Sequence, residues 1–159
     1  MGTPAPSSRT FPHWLPLPKA QHPLVAPWLT DPDQYDFFTD KNGLVHAMHQ
    51  EKIVEATHLG QALGRLELGF RVGEVKGKDF VPAPELALHT ALSAEIPRLE
   101  VDLLTAQQLL KREAPPLAAL GRGWHLITYG GRGLLWVKGL GHRYNNYYPA
   151  AWRIRMELA

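Results

Sequence analysis

Prolines and glycines interrupt this chain so often that long regular elements have little room to form. The 159 residues include 14 prolines and 14 glycines. Proline lacks an amide hydrogen and clashes inside a helix, whereas glycine favours turns. The pattern therefore favours short strands joined by tight turns over a helical bundle. Because 45% of the residues are hydrophobic, the chain can still build a core as one domain or two small subdomains.

The first hundred residues predict an α+β arrangement after a disordered tail at residues 1–10. Residues 11–28 contain five prolines and predict an extended strap anchored by aromatic side chains. The pair Asn42-Gly43 predicts a turn. Hydrophobic spacing and composition predict helices over Asp31–Asp40, Ile53–Leu66 and Pro84–Leu92, and strands over Leu44–Met48 and Leu68–Val75.

Two alternating segments near the C-terminus predict a β-hairpin. Trp124–Tyr129 and Leu134–Lys138 are rich in β-branched and aromatic residues, and Gly130–Gly133 forms a turn between them. A short helix over Thr105–Lys111, capped by Thr105, is expected before the hairpin. A last strand over Ile154–Leu158 would close the sheet. These elements together predict a small, partly open barrel.

The charges of the chain are distributed unevenly. Residues 1–100 hold nine Lys and Arg against twelve Asp and Glu, whereas residues 101–159 hold eight against three. No acidic residue occurs between Glu113 and Glu157. Such asymmetry is typical of a surface that binds phosphate, and it is equally typical of a solvated basic face.

The C-terminal segment resembles a known family. Residues 123–156 read GWHLITYGGRGLLWVKGLGHRYNNYYPAAWRIRM, which is similar to the tail of RsmF-type ribosomal-RNA cytosine-5 methyltransferases of the Nol/Nop/Sun group. Residues 73–88, GEVKGKDFVPAPELAL, resemble an upstream segment of the same family. The resemblance implies a PUA-like RNA-binding β-barrel over residues 99–159, packed on a smaller N-terminal α+β subdomain over residues 11–98. It also implies a role in ribosome biogenesis.

The resemblance does not extend to catalysis. Enzymes of that family bind S-adenosylmethionine and use a cysteine thiolate as nucleophile, whereas this chain has no cysteine and no glycine-rich cofactor turn. We therefore expect no enzymatic activity from these residues alone and no cofactor. The chain is either a fragment of a longer methyltransferase or a stand-alone tail. No metal-ligand spacing, signal peptide or membrane span is apparent, which favours the cytoplasm.

The segment His142–Tyr148, HRYNNYY, is the densest candidate site. Cations neutralise phosphates, aromatic rings stack on unpaired bases, and amides read base edges. Alternatively, the tyrosines fill the core, Lys138 protects a strand edge and Arg132 belongs to an ordinary turn. Trp124, Trp136 and Trp152 are expected to be core or sheet-packing residues rather than stacking platforms for bases. The predicted RNA-binding residues are Lys76, Lys78, Arg132, Lys138, Arg143, Tyr144, Asn145, Asn146, Tyr147, Arg153 and Arg155.

Two functions therefore compete. The first is an RNA-binding module, with rRNA as the partner. The second is a protein-interaction module that docks on a methyltransferase domain or a ribosomal protein through its acidic first hundred residues.

Overall fold

The computed structural model describes residues 14–50, 69–118 and 120–152. The chain divides into two compact units, residues 1–86 and residues 87–159. Each unit contains one sheet, and strands outnumber the short helices. The predicted α+β class is confirmed. The predicted tail at 1–10, the helix at 53–66 and the strand at 154–158 lie outside the described residues.

The first unit is built on a five-stranded antiparallel sheet whose strands follow the chain in order. Hydrophobic residues of β2 and β3, including Phe38 and Met48, are buried together beside Trp14. A four-residue helix, α1, covers His22–Val25. The strands are β1 (Leu15–Pro16), β2 (Tyr35–Thr39), β3 (Leu44–His49), β4 (Phe70–Lys76) and β5 (Asp79–Pro82).

Three expectations for this part of the chain were wrong. The predicted helix at 31–40 is instead a 3₁₀ turn at Pro32–Gln34 followed by β2, because the aromatic run of β2 pairs with β3 along its whole length. The strap is not extended throughout, since α1 and two 3₁₀ turns occupy much of it. Pro23 is tolerated because it lies in the first turn of α1, where no amide donor is needed. The helix predicted at 84–92 is only a 3₁₀ segment, Pro84–Leu88.

The predicted strands and turn of this unit are confirmed. Strand β3 begins directly after the Asn42-Gly43 turn, where Gly43 has a φ of 83°. Asp40 stabilises that turn by accepting hydrogen bonds from the amides of Asn42 and Leu44, at 2.8 and 3.1 Å. Its carboxylate also contacts the buried His46 ring at 2.8 Å. Burial opposes ionisation of Asp40, but these hydrogen bonds outweigh it and lower the pKa of the carboxyl group.

The second unit contains a four-stranded sheet with one helix against it. β6 (Arg98–Glu100) runs parallel to β7 (Gly123–Tyr129), and β7 pairs antiparallel with β8 (Arg132–Gly139). The last strand, β9 (Tyr144–Asn146), pairs with β8. Helix α2 (Leu103–Leu110) connects β6 to β7, and its Leu109 packs against Ile127, Leu135 and Val137. The predicted hairpin is confirmed.

The cap of the helix in this unit differs from expectation. Helix α2 is capped by Asp102, whose carboxylate accepts a hydrogen bond from the Thr105 amide at 2.8 Å. Thr105 itself is the third residue of the helix rather than its cap. In the part of the chain that the structure describes, the sheet is open, with β6 and β9 as its edges, and no closed barrel is present.

Glu100 organises the turn between β7 and β8. Its carboxylate accepts hydrogen bonds from the Thr128 hydroxyl at 2.8 Å and from the amides of Gly130 and Gly131 at 2.7 and 3.1 Å. The Thr128 hydroxyl, followed by the two amides, lowers the pKa of Glu100. The glycine turn therefore does hold an anion through its amides, and that anion is the protein's own carboxylate.

We expect the Glu100→Gln variant to be less stable than the wild type at neutral pH. Because the folded-state pKa is lowered, the carboxylate adds stability above its ordinary pKa of 4.5, and that stability is lost as the pH falls through the folded-state value. Urea unfolding from neutral to acidic pH should therefore show a flatter pH dependence for the variant. Glu95→Gln is the matched control, since Glu95 is exposed. Equal pH profiles for Glu100→Gln and wild type would contradict this role.

Candidate nucleic-acid interface

Three polar or aromatic side chains form a row across the second sheet. Trp124 on β7 pairs with Lys138 on β8, which in turn pairs with Asn145 on β9. Residues that face each other in antiparallel strands project from the same side of the sheet. The row is therefore a common surface, and Asn145 is exposed on it.

The side chains of this row contact one another and a fourth residue. The Lys138 ammonium lies 5.4 Å from the centroid of the Trp124 ring, within the range of a cation–π interaction. The ring of Tyr147 meets the Trp124 ring with centroids 4.5 Å apart and an angle of 61° between them. Tyr147 is 37% exposed. We call Trp124, Lys138, Asn145 and Tyr147 the aromatic–lysine face.

Buried residues hold this face in place. Trp136 is 1% exposed, and its ring meets Trp124 edge-on at 6.5 Å. The backbone amide of Tyr147 donates to the Trp136 carbonyl at 2.9 Å. Tyr147 therefore follows β9 in a fixed position beside β8, and internal contacts of the sheet organise the aromatic–lysine face.

The residues that alternate with this row face the helix. Asn146 donates through Nδ2 to the carbonyls of Leu109 and Glu113, at 2.9 and 3.3 Å, and its Oδ1 accepts from the Tyr148 amide at 2.8 Å. The Tyr144 hydroxyl donates to the Pro115 carbonyl. The Tyr144 and Tyr148 rings pack against the core, and burial raises the pKa of both phenols. Tyr144 and Asn146 thus fix the fold, and only Asn145 and Tyr147 of this segment belong to the aromatic–lysine face.

Arg143 lies in the turn between β8 and β9, apart from that row. The turn is closed by a hydrogen bond of 2.7 Å from the Leu140 amide to the Arg143 carbonyl. The Arg143 side chain is exposed and lines a cleft of about 350 Å³ together with His142 and the loop after α2.

The remaining predicted residues lie elsewhere. Arg132 is exposed at the start of β8 and lines a separate cleft of about 500 Å³. Lys76 and Lys78 flank Gly77 in the β4–β5 turn of the first unit, and the Lys76 ammonium is 3.9 Å from the Glu74 carboxylate. Arg153 and Arg155 lie outside the described residues.

Within the described residues, His46 and His49 contact other side chains of the protein. Across residues 14–50, 69–118 and 120–152, no group of three His, Asp or Glu side chains is arranged to hold a metal ion. His46 stacks on Trp14 at 4.0 Å and contacts Asp40, while His49 contacts Gln34 at 3.2 Å. In the same ranges, no helix has the length and apolar character that a membrane crossing requires.

Comparison with protein families matches this region. Residues 97–154, about a third of the chain, fit the family described as the Methyltransferase RsmF PUA domain. Residues 97–154 are a PUA-like region of the RsmF type. The resemblance seen in the C-terminal segment is thereby confirmed. Comparison with curated proteins gives no significant match.

The match places β6, α2 and the whole β7–β9 sheet within the PUA-like region. The aromatic–lysine face and the cleft beside Arg143 therefore both belong to it. Residues 73–88, which also resemble the methyltransferase family, lie outside the match, so that part of the resemblance stays a prediction.

Trp124 is the one member of the aromatic–lysine face that the sequence did not predict. The sequence predicted Trp124 as a core or sheet-packing residue, and it is half-buried beneath Lys138. A regular hairpin closed at Gly130–Gly131 would place Trp124 opposite Val137, and the register shift between Ile127 and Thr128 brings it opposite Lys138 instead. Composition alone could not reveal that pairing.

The neighbouring asparagines of the PUA-like region provide a direct test of this division. Asn146→Ala should lower the free energy of unfolding by about 1–3 kcal/mol, because it removes the Nδ2 donor to the carbonyls of Leu109 and Glu113 and the Oδ1 acceptor of the Tyr148 amide. Asn145→Ala should change stability by less than about 0.5 kcal/mol, since Asn145 is exposed. Urea denaturation of both variants measures the difference. Equal losses of stability would show that the two side chains do not have separate roles.

Proposed function

We propose that the PUA-like region binds RNA through the aromatic–lysine face. PUA domains generally bind RNA, and this face offers the three kinds of group that RNA recognition uses. Lys138 supplies a cation for phosphate, Tyr147 supplies a ring for an unpaired base, and Asn145 supplies an amide for a base edge or a 2′-hydroxyl.

The observation that carries this proposal is the position of the Lys138 ammonium above the Trp124 ring, beside Tyr147. A lysine held over an aromatic ring loses little further conformational entropy when it binds a phosphate, because the ring already restricts its long side chain. A phosphate at Lys138 would bring the adjoining base towards Tyr147. Charge and stacking then act on one nucleotide.

The charge of the surrounding sequence supports the same conclusion. Between Glu113 and Glu157 the chain carries basic residues and no carboxylate. Upstream of β7, the carboxylate of Glu100 accepts hydrogen bonds from the glycine turn and that of Asp102 caps α2. The positive charge of β8 and the segment after it therefore favours an anionic polymer.

Ribosomal RNA is the RNA that we propose, because the matched domain is that of a ribosomal-RNA methyltransferase. We further propose that these residues contribute binding rather than methyl transfer. Formation of a covalent bond to the pyrimidine needs a thiolate, and the 159 residues contain no cysteine. The methyltransferase domain would be supplied by a longer chain or by a partner protein.

Lys138→Gln should weaken binding to an rRNA fragment and lower the slope of log K against log salt by about 0.7–0.9, the value of one lost phosphate contact. Fluorescence anisotropy over a range of salt concentrations measures both quantities. Lys41→Gln is the matched control, because Lys41 is an exposed lysine in a hairpin turn of the first unit.

An unchanged salt slope in Lys138→Gln, in a variant whose thermal unfolding matches wild type, would refute the proposed face. Equal weakening by Lys41→Gln would also refute it, since binding would then depend on charge without regard to position. Binding to a ribosomal protein that survives nuclease treatment, with no affinity for RNA, would favour the protein-interaction function.

A further inference from the structure

The second unit contains a cleft that the aromatic–lysine face does not use. It measures about 350 Å³, near the lower end of the range of about 300–1,000 Å³ typical of small-molecule sites. One wall is the loop after α2, with Pro116, Leu117 and Leu120. The other wall is the turn before β9, with His142, Arg143 and the first residue of β9, Tyr144.

The two walls are joined by hydrogen bonds. The Tyr144 hydroxyl donates to the Pro115 carbonyl at the base of the loop. Asn146 donates to the carbonyls of Leu109 and Glu113, which fixes the end of α2 where the loop begins. Because these bonds lie within the protein itself, they hold the two walls together and limit the ordering that a ligand must bring about.

The chemistry of the cleft is divided between its interior and its rim. Proline and leucine side chains and the half-buried Tyr144 ring provide apolar surface, whereas His142 and Arg143 are exposed at the turn. Among the residues that the structure describes, no Asp or Glu lines the cleft. A Cβ placed on Gly141 would be 2.8 Å from the Nη2 atom of Arg122. The Arg122 guanidinium therefore lies beside the cleft and adds positive charge there.

We propose that this cleft binds one unpaired nucleotide of the RNA. The flat base lies against Leu117, Leu120 and Tyr144, and its phosphate contacts Arg143 and His142. A nucleotide has a flat, largely apolar ring and an anionic phosphate. These two parts match the apolar interior of the cleft and its basic rim. This inference rests on the proposed RNA binding and adds a second site for an unpaired nucleotide, apart from the aromatic–lysine face.

The test uses adenosine 5′-monophosphate as the probe and the full chain labelled with ¹⁵N. Backbone amide shifts of Leu117, Leu120 and residues 141–143 should move on titration. Adenosine and ribose 5-phosphate, which each lack one half of the probe, should bind at least about tenfold more weakly. Arg143→Gln should weaken binding of the monophosphate while leaving the weak binding of adenosine unchanged.

A matched pair of alanines separates filling of the cleft from general damage. Ala114 lines the cleft and Ala118 does not, and both are exposed on the same loop. Ala114→Trp should reduce affinity for the monophosphate by about tenfold or more, and Ala118→Trp should leave it as in wild type. Both variants should retain the dispersed amide spectrum of the folded chain.

Three results would overturn the proposal. These are shifts confined to the aromatic–lysine face, equal affinity for adenosine 5′-monophosphate and ribose 5-phosphate, and equal affinity in Ala114→Trp and wild type. None of them affects the dependence of RNA binding on Lys138, so failure of the cleft and failure of the proposed function are distinguishable. Conversely, adenosine 5′-monophosphate could bind in the cleft while Lys138→Gln leaves RNA binding unchanged. That result would refute only the role of the aromatic–lysine face.

Discussion

The pairing of β7 with β8 is the constraint on which the second unit depends. In an antiparallel pair, alternate side chains project from opposite sides of the sheet. Ile127, Leu135 and Val137 therefore face α2 and form the core. The same register sends Trp124 and Lys138 to the other side. A shift by one residue would exchange these sets, so the burial of the core also specifies which side chains can meet RNA.

The segment after β8 shows how one short sequence serves both purposes. Asn145 and Asn146 are chemically identical neighbours, yet strand alternation gives them different roles. One is exposed opposite Lys138, and the other donates hydrogen bonds from β9 to the carbonyls of Leu109 and Glu113 and accepts one from the Tyr148 amide. Tyr144 and Tyr147 divide in the same way. The fold is therefore stabilised by residues that lie between those proposed to bind RNA.

The sequence predicted local structure well where a strong turn signal marked a hairpin. The Gly130–Gly131 turn and the flanking alternation defined the β7–β8 hairpin, and Asn42-Gly43 defined the start of β3. It failed at residues 31–40, where a helix was predicted but pairing with β3 decided the outcome. It also failed at the Asp102 cap, because the capping carboxylate lies one turn before the expected residue.

The sequence predicted which residue types the candidate site contains, but not which of those residues share a surface. Residues 138–147 were recognised as basic, aromatic and amide-rich, and the family match supports their region. Which of them share a surface depends on strand parity and on contacts between distant residues, such as Tyr144 with Pro115. Sequence patterns do not encode those contacts. Trp124 was missed for the same reason, since its partner Lys138 is 14 residues away in the chain.

Photochemical cross-linking of the chain to an rRNA fragment that contains 4-thiouridine, followed by peptide mapping, tests the central claim most directly. Zero-length cross-links form where a base stacks on an aromatic ring. We expect them at Tyr147 and Trp124, with a marked decrease at the salt concentrations that dissociate the complex. Cross-links confined to residues 14–86, or evenly spread over the chain, would contradict the account.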